Sequence, residues 1–78
     1  MIHRTRFIKK AVDLGMIRYG NDMCWDHPAQ FVLWWDVEDE SVHILPNTQD
    51  VKHSRAQFTE PDELDAAFAT YRLMNQGG

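Results

Sequence analysis

Between Phe31 and Leu45, apolar residues occupy both parities of the chain. Phe31, Leu33, Trp35 and Val37 fall on one face of an extended strand, and Val32 and Trp34 fall on the other. A half-buried strand alternates apolar with polar residues. After Glu38-Asp39-Glu40, the run Ser41-Val42-His43-Ile44-Leu45 repeats the doubly apolar pattern. The stretch predicts a β-hairpin with one face on the core and a second face that another element or a partner covers. An even loop pairs Val37 with Val42 and Trp35 with Ile44 on the first face, and Asp36 with His43 and Trp34 with Leu45 on the second. An odd loop turns Val42 and Ile44 to the wrong side. Glu38-Asp39-Glu40-Ser41 lacks the Asn-Gly type of pair that two-residue turns prefer, so it predicts a four-residue loop around a type I turn. Pro46-Asn47 ends the second strand.

The flanking segments have helical spacing. From about Arg4 to Leu14, Phe7, Ile8, Ala11 and Val12 form one stripe, Arg6, Lys9, Lys10 and Asp13 face water, and Gly15 stands at the C-terminal cap. From Thr59, as N-cap, Pro61 and the acidic Glu60, Asp62 and Glu63 open a second helix that carries Leu64, Ala67, Phe68, Tyr71 and Met74 inward. Met16 to Tyr19 is predicted extended before the Gly20-Asn21-Asp22 turn. Met23 to Pro28 is predicted irregular, because Pro28 pushes His27 away from helical angles, with Trp25 plugging the core beneath it. Val51 to Phe58 is read as a third strand, with a turn of helix at Asp50 to Ala56 the competing reading. The fold expected is a small single α+β domain in which a helix, an antiparallel meander of two or three strands and a second helix follow in order. Both helices pack on one face of the sheet.

A chain of 78 residues has little core to spare, since domains this small bury only about 60% of their unfolded surface. Placing Val32 and Trp34 on a second face is therefore a feature to be explained. One cysteine, Cys24, excludes an internal disulfide, and no apolar run is long enough for a signal peptide or a membrane span. A cytoplasmic location and no membrane partner are expected. Charge is segregated: Arg4, Arg6, Lys9, Lys10 and Arg18 stand against Asp13 in residues 1–20, whereas residues 21–50 hold seven carboxylates and no Lys or Arg. The acidic middle disfavours nucleic acid as the main partner and suits a basic protein surface.

Candidate chemistry is sparse. Cys24-x-x-His27 has a metal-like spacing that His43 and His53 would extend, but structural zinc sites show two clear ligand pairs, so no metal site and no cofactor are expected. Cys24, Asp26 and His27 are too close in sequence to face one another as a nucleophile set, so no catalytic residues and no enzymatic activity are expected. Asp36 opposite His43 reads as a solvated surface pair worth about 0–1 kcal/mol. The order helix, three strands, helix resembles in topology the double-stranded-RNA-binding domain. Where that domain presents lysines to phosphates, this chain has Glu60-Pro61-Asp62-Glu63-Leu64-Asp65, which repels them. Gly77-Gly78 resembles the diglycine end of ubiquitin-like modifiers, which is activated as an acyl adenylate on a tail leaving a β-grasp strand. Here the pair follows a helix, which glycine also simply ends.

The remaining signal is the second hairpin face, with Val32, Trp34 and Leu45 rimmed by Asp36, Glu38, Asp39 and Glu40. An apolar centre with a Trp inside a charged rim is how interfaces are built. The expected function is a non-enzymatic interaction module, a small acidic inhibitor or adaptor that binds a protein through this hairpin and masks a basic or nucleic-acid-binding surface. The alternatives are a nucleic-acid-binding domain using Arg4, Arg6, Lys9, Lys10 and Arg18, and a homodimer formed through the hairpin face with no other ligand. Against the interface stands the plainer reading that the loop Met23 to Pro28 or the second helix covers this face.

Overall fold

The computed structural model describes residues 1–26, 30–47 and 51–76. Two helices, α1 (Arg4–Asp13) and α2 (Leu64–Gln76), flank a five-stranded antiparallel sheet of β1 (Ile17–Tyr19), β2 (Met23–Trp25), β3 (Phe31–Asp36), β4 (Ser41–Pro46) and β5 (Ala56–Phe58). The strands lie in chain order, so the α+β class expected from the sequence is present with two more strands than the largest meander predicted.

The extra strands have local causes. Gly20, at φ 65, turns the chain so that Tyr19 pairs with Met23 and Ile17 with Trp25. Met23-Cys24-Trp25, predicted irregular, is instead an ordinary strand with Cys24 buried and its neighbours half-buried. The segment after β4 divides between the two readings it supported, a 3-10 turn at Val51–His53 and the short strand β5. His27, Pro28 and Thr48 to Asp50 lie outside the described residues.

Both helices bury their stripes in one core. Phe7 and Ala11 of α1 and Leu64, Ala67, Phe68 and Tyr71 of α2 meet Cys24, Leu33, Trp35, Val42 and Ile44 from the sheet. The Phe7 and Phe68 rings lie 5.7 Å apart and link the two helices. Val12, assigned to the buried stripe, is exposed, because it lies at the edge of a stripe that Phe7, Ile8 and Ala11 already fill. Lys10, assigned to water, is half-buried and bonds Asp65 of α2 at 2.6 Å. Gly15, at φ 71, ends α1 as expected. The predicted first turn of the second helix is a 3-10 turn, Pro61–Glu63, from which α2 continues at Leu64. Glu60 rather than Thr59 is the N-cap of that turn, and its N–H donates to the Glu63 carboxylate at 3.1 Å.

The β3–β4 hairpin has the predicted faces but a register two residues away. Asp36 pairs with Ser41, Trp35 with Val42, Trp34 with His43, Leu33 with Ile44 and Val32 with Leu45. The loop is therefore Val37 to Glu40, still four residues long, with Glu40 at φ 50 closing it. Asp36 sets its start, since its Oδ1 accepts the Glu38 N–H at 2.9 Å, the local bond that makes aspartate a turn-opening residue. A slip of two residues keeps every side chain on its face, so apolar alternation alone does not discriminate between these registers. The turn chemistry does.

Candidate functional site

The second face of the sheet carries a polar cluster built on the hairpin. His43 and Ser41 lie two residues apart on β4 and so share this face, and Asp36 of β3 stands opposite Ser41. The His43 Nε2 atom is 3.6 Å from Asp36 Oδ2, 4.0 Å from Asp39 Oδ2 in the loop and 3.2 Å from Ser41 Oγ. Its other ring nitrogen, Nδ1, is 2.9 Å from Ser54 Oγ, and the Ser54 hydroxyl donates to the Ala56 carbonyl at 3.0 Å. The Ser41 hydroxyl donates to Asp39 Oδ1 at 2.5 Å, and the Gln57 amide of β5 donates to Asp39 Oδ2 at 2.8 Å and to Ser41 Oγ at 3.1 Å. The Ser41 bond is the main reason the Asp39 carboxyl is held below its ordinary value of 3.8.

This arrangement corrects the solvated Asp36–His43 pair. Both side chains are buried, and their contact is diagonal across the ladder. The cluster lacks the hydrogen-bonded relay of a nucleophile triad. Ser41 and Asp36 share the Nε2 side, Ser54 on Nδ1 gives its proton to the Ala56 carbonyl rather than to the ring, and Asp36 at 3.6 Å is beyond hydrogen-bond reach of Nε2.

The proposed apolar contact residues separate on this face. Val32 and Leu45 are only 4% and 3% exposed, which removes them from any outer surface, while Trp34 is half-buried with its ring centroid 5.6 Å from that of His43. Part of the cover is the β4–β5 connection, whose 3-10 turn packs on β4 and whose Ser54 reaches His43. Of the two covers foreseen, the loop after Met23 lies partly outside the described residues. Glu38, Asp39 and the half-buried Glu40 remain on the outside, and Val37, assigned to the core face, stands at the hairpin apex with 69% exposure.

The apex is tied to the body of the protein by the N-terminal segment. The Ile2 N–H donates to the Glu40 carbonyl at 2.7 Å, and the Trp35 indole donates to the Ile2 carbonyl at 2.7 Å. Ser41, Ser54 and Gln57 were not singled out from the sequence. Ser41 was accessible there, since residues i and i+2 share a strand face, whereas Ser54 and Gln57 depended on the pairing of β5, which no local pattern specified.

Among the described residues, the other candidates do not converge. Cys24 is on the core face, opposite to His43, so the two do not meet. Burial, and then the nearby Asp26 charge, push its thiol from 9.0 up to about 12. His53 is exposed, and His27 and Gly77-Gly78 lie outside the described residues. Of the basic set, Arg6, Lys9 and Arg18 are exposed, Lys10 is engaged by Asp65 and Arg4 lies 5.6 Å over the Trp35 ring. The raised thiol value has a measurable consequence. The unfolded chain ionises Cys24 near pH 9 and the folded chain resists, so the stability this group contributes is full below pH 9 and lost as pH rises towards 12. Urea unfolding from pH 8 upward is expected to show that loss in the wild type, and Cys24→Ala is expected to lack the component that begins near 9.0.

No helix among the described residues is long and apolar enough to cross a membrane. Comparison with protein families, with curated proteins and with solved structures found no match for this chain.

Proposed function

We infer that this protein is a non-enzymatic interaction module that binds a basic partner protein through the acidic apex of its β3–β4 hairpin. The observation that carries this reading is Val37, 69% exposed beside the outward carboxylates of Glu38, Asp39 and Glu40. A small apolar contact inside a charged rim matches the anatomy of protein interfaces. The half-buried Trp34 lies on the Asp36 face about 7 Å along the strand and extends the contact.

The apex has the further property that binding surfaces need, which is prior order. Bonds from Asp36 to Glu38, from Ser41 to Asp39 and from Ile2 to Glu40 hold the loop before any partner arrives. Less conformational freedom is then lost on association. Presenting carboxylates in a fixed array also suits an inhibitor or adaptor that occupies a surface built for phosphates, with long-range attraction that salt weakens.

A photo-crosslinking residue at Val37, compared with one at the exposed Leu73 of α2, whose Asn75 accepts the Phe31 N–H at the opposite end of β3, tests the location. The account expects a covalent adduct with a basic protein from position 37 and none from 73. Adducts from 73 alone, or a ladder of the chain with itself from 37, displace this reading, the latter in favour of a homodimer.

A further inference from the structure

We propose that Asp36, Asp39 and His43 form a binding site for a divalent cation of the zinc class, with Ser41, Ser54 and Gln57 as its supporting shell. This goes beyond partner recognition and does not depend on it. Four acceptors face one point. The Ser41 proton is spent on Asp39 Oδ1 and the Ser54 proton on the Ala56 carbonyl, so Ser54 accepts from Nδ1–H and directs the Nε2 lone pair towards the two carboxylates. A buried nitrogen acceptor, 7% exposed as a side chain, thus faces Asp36 Oδ2, Asp39 Oδ2 and a hydroxyl oxygen whose proton points elsewhere. The Gln57 amide donates to Asp39 Oδ2 and Ser41 Oγ, but the Nε2 lone pair and Asp36 Oδ2 still face each other across 3.6 Å, and a positive charge between them relieves that meeting of acceptors.

The distances distinguish a metal ion from a proton. At 3.6 and 4.0 Å the carboxylates stand beyond hydrogen-bond reach of Nε2. Bonds of about 2.1 Å to a tetrahedral ion set ligand atoms about 3.4 Å apart, close to the first of these separations. The three ligand atoms all lie within 4.8 Å of one another. Asp39 is the ligand with room to close the remaining gap, since its side chain is 46% exposed on the loop. A His whose second nitrogen is held by a hydroxyl bonded to a backbone carbonyl is the outer-shell arrangement of metal-ligating histidines. One imidazole and two carboxylates suit zinc and its neighbours in the first transition row. They are too few oxygens for calcium, and magnesium keeps its waters. The two carboxylates and neutral imidazole would leave a fourth position open to solvent on the Asp39 side.

Protein stripped with chelator and dialysed is titrated with zinc at neutral pH by calorimetry, and the histidine ring nitrogens are followed by NMR. One ion per chain at micromolar affinity is expected, with the His43 Nε2 resonance displaced and those of His3 and His53 unmoved. Asp39→Asn, at an exposed position, is expected to weaken zinc by about ten-fold or more, and a His3→Gln, His53→Gln double variant to bind as wild type. Absence of heat at micromolar zinc overturns the proposal. So does displacement confined to His3 or His53, or undiminished binding by both Asp39→Asn and Asp36→Asn.

Discussion

Trp35→Ala is expected to bring the protein to the edge of unfolding at room temperature. The indole is buried in the core shared by both helices, and Trp→Ala truncations in cores cost about 3–5 kcal/mol. A chain of 78 residues has about 4–12 kcal/mol in all. The substitution also removes the donor to the Ile2 carbonyl, and Ile2 is itself 1% exposed, so that oxygen loses its partner where water does not replace it. Trp35→Phe separates the two contributions. It keeps most of the ring and deletes the hydrogen bond, for an expected cost of about 1–3 kcal/mol. Urea unfolding followed by circular dichroism measures both. A Trp35→Phe variant as stable as the wild type would mean that the N-terminal segment does not hold the hairpin.

His43→Ala is expected to cost about 2–4 kcal/mol, far more than the 0–1 kcal/mol of a surface ion pair, because a buried ring and its polar partners are lost together. The imidazole supports the Trp34 ring and joins the β3–β4 hairpin to Ser54 of the β4–β5 connection. Removing it frees the connection that lies over the second face. Amide hydrogen exchange is expected to rise first in β5 and in the hairpin loop, ahead of α2. A stability change under 1 kcal/mol in the same urea assay would show the cluster to be incidental to the fold.

These two residues also show what the sequence discloses. Trp35 was legible as core because apolar alternation survives any even slip in register, and the helices were legible because their stripes are long. His43 was placed on the correct face and against the correct carboxylate, but as a surface residue. Nothing local to Val51 to Phe58 announces that this segment returns across the sheet and delivers Ser54 to the ring. The same gap left Val32 and Leu45 as contact residues, although both are buried. Val37 erred in the opposite sense. Its β-branched side chain continues the strand pattern, but the Asp36 turn bond ends the strand first and leaves Val37 on the apex. For β2, three residues beside Pro28 were too short a run to outweigh the proline, and the strand exists because the glycine turn at Gly20 folds it onto β1.

The central claim is that the apex of the hairpin is the binding surface, and capture from native extract with matched variants tests it most directly. Wild type is compared with a Val37→Ser, Glu38→Lys double variant. Both positions are exposed and neither side chain takes part in the Asp36–Asp39–His43 cluster, so circular dichroism and urea midpoint are expected to stay within about 0.5 kcal/mol of wild type. The account predicts a stoichiometric basic protein retained by the wild type, released by raised salt and lost from the folded double variant. Equal recovery of that protein by both chains would place the binding surface elsewhere on the molecule.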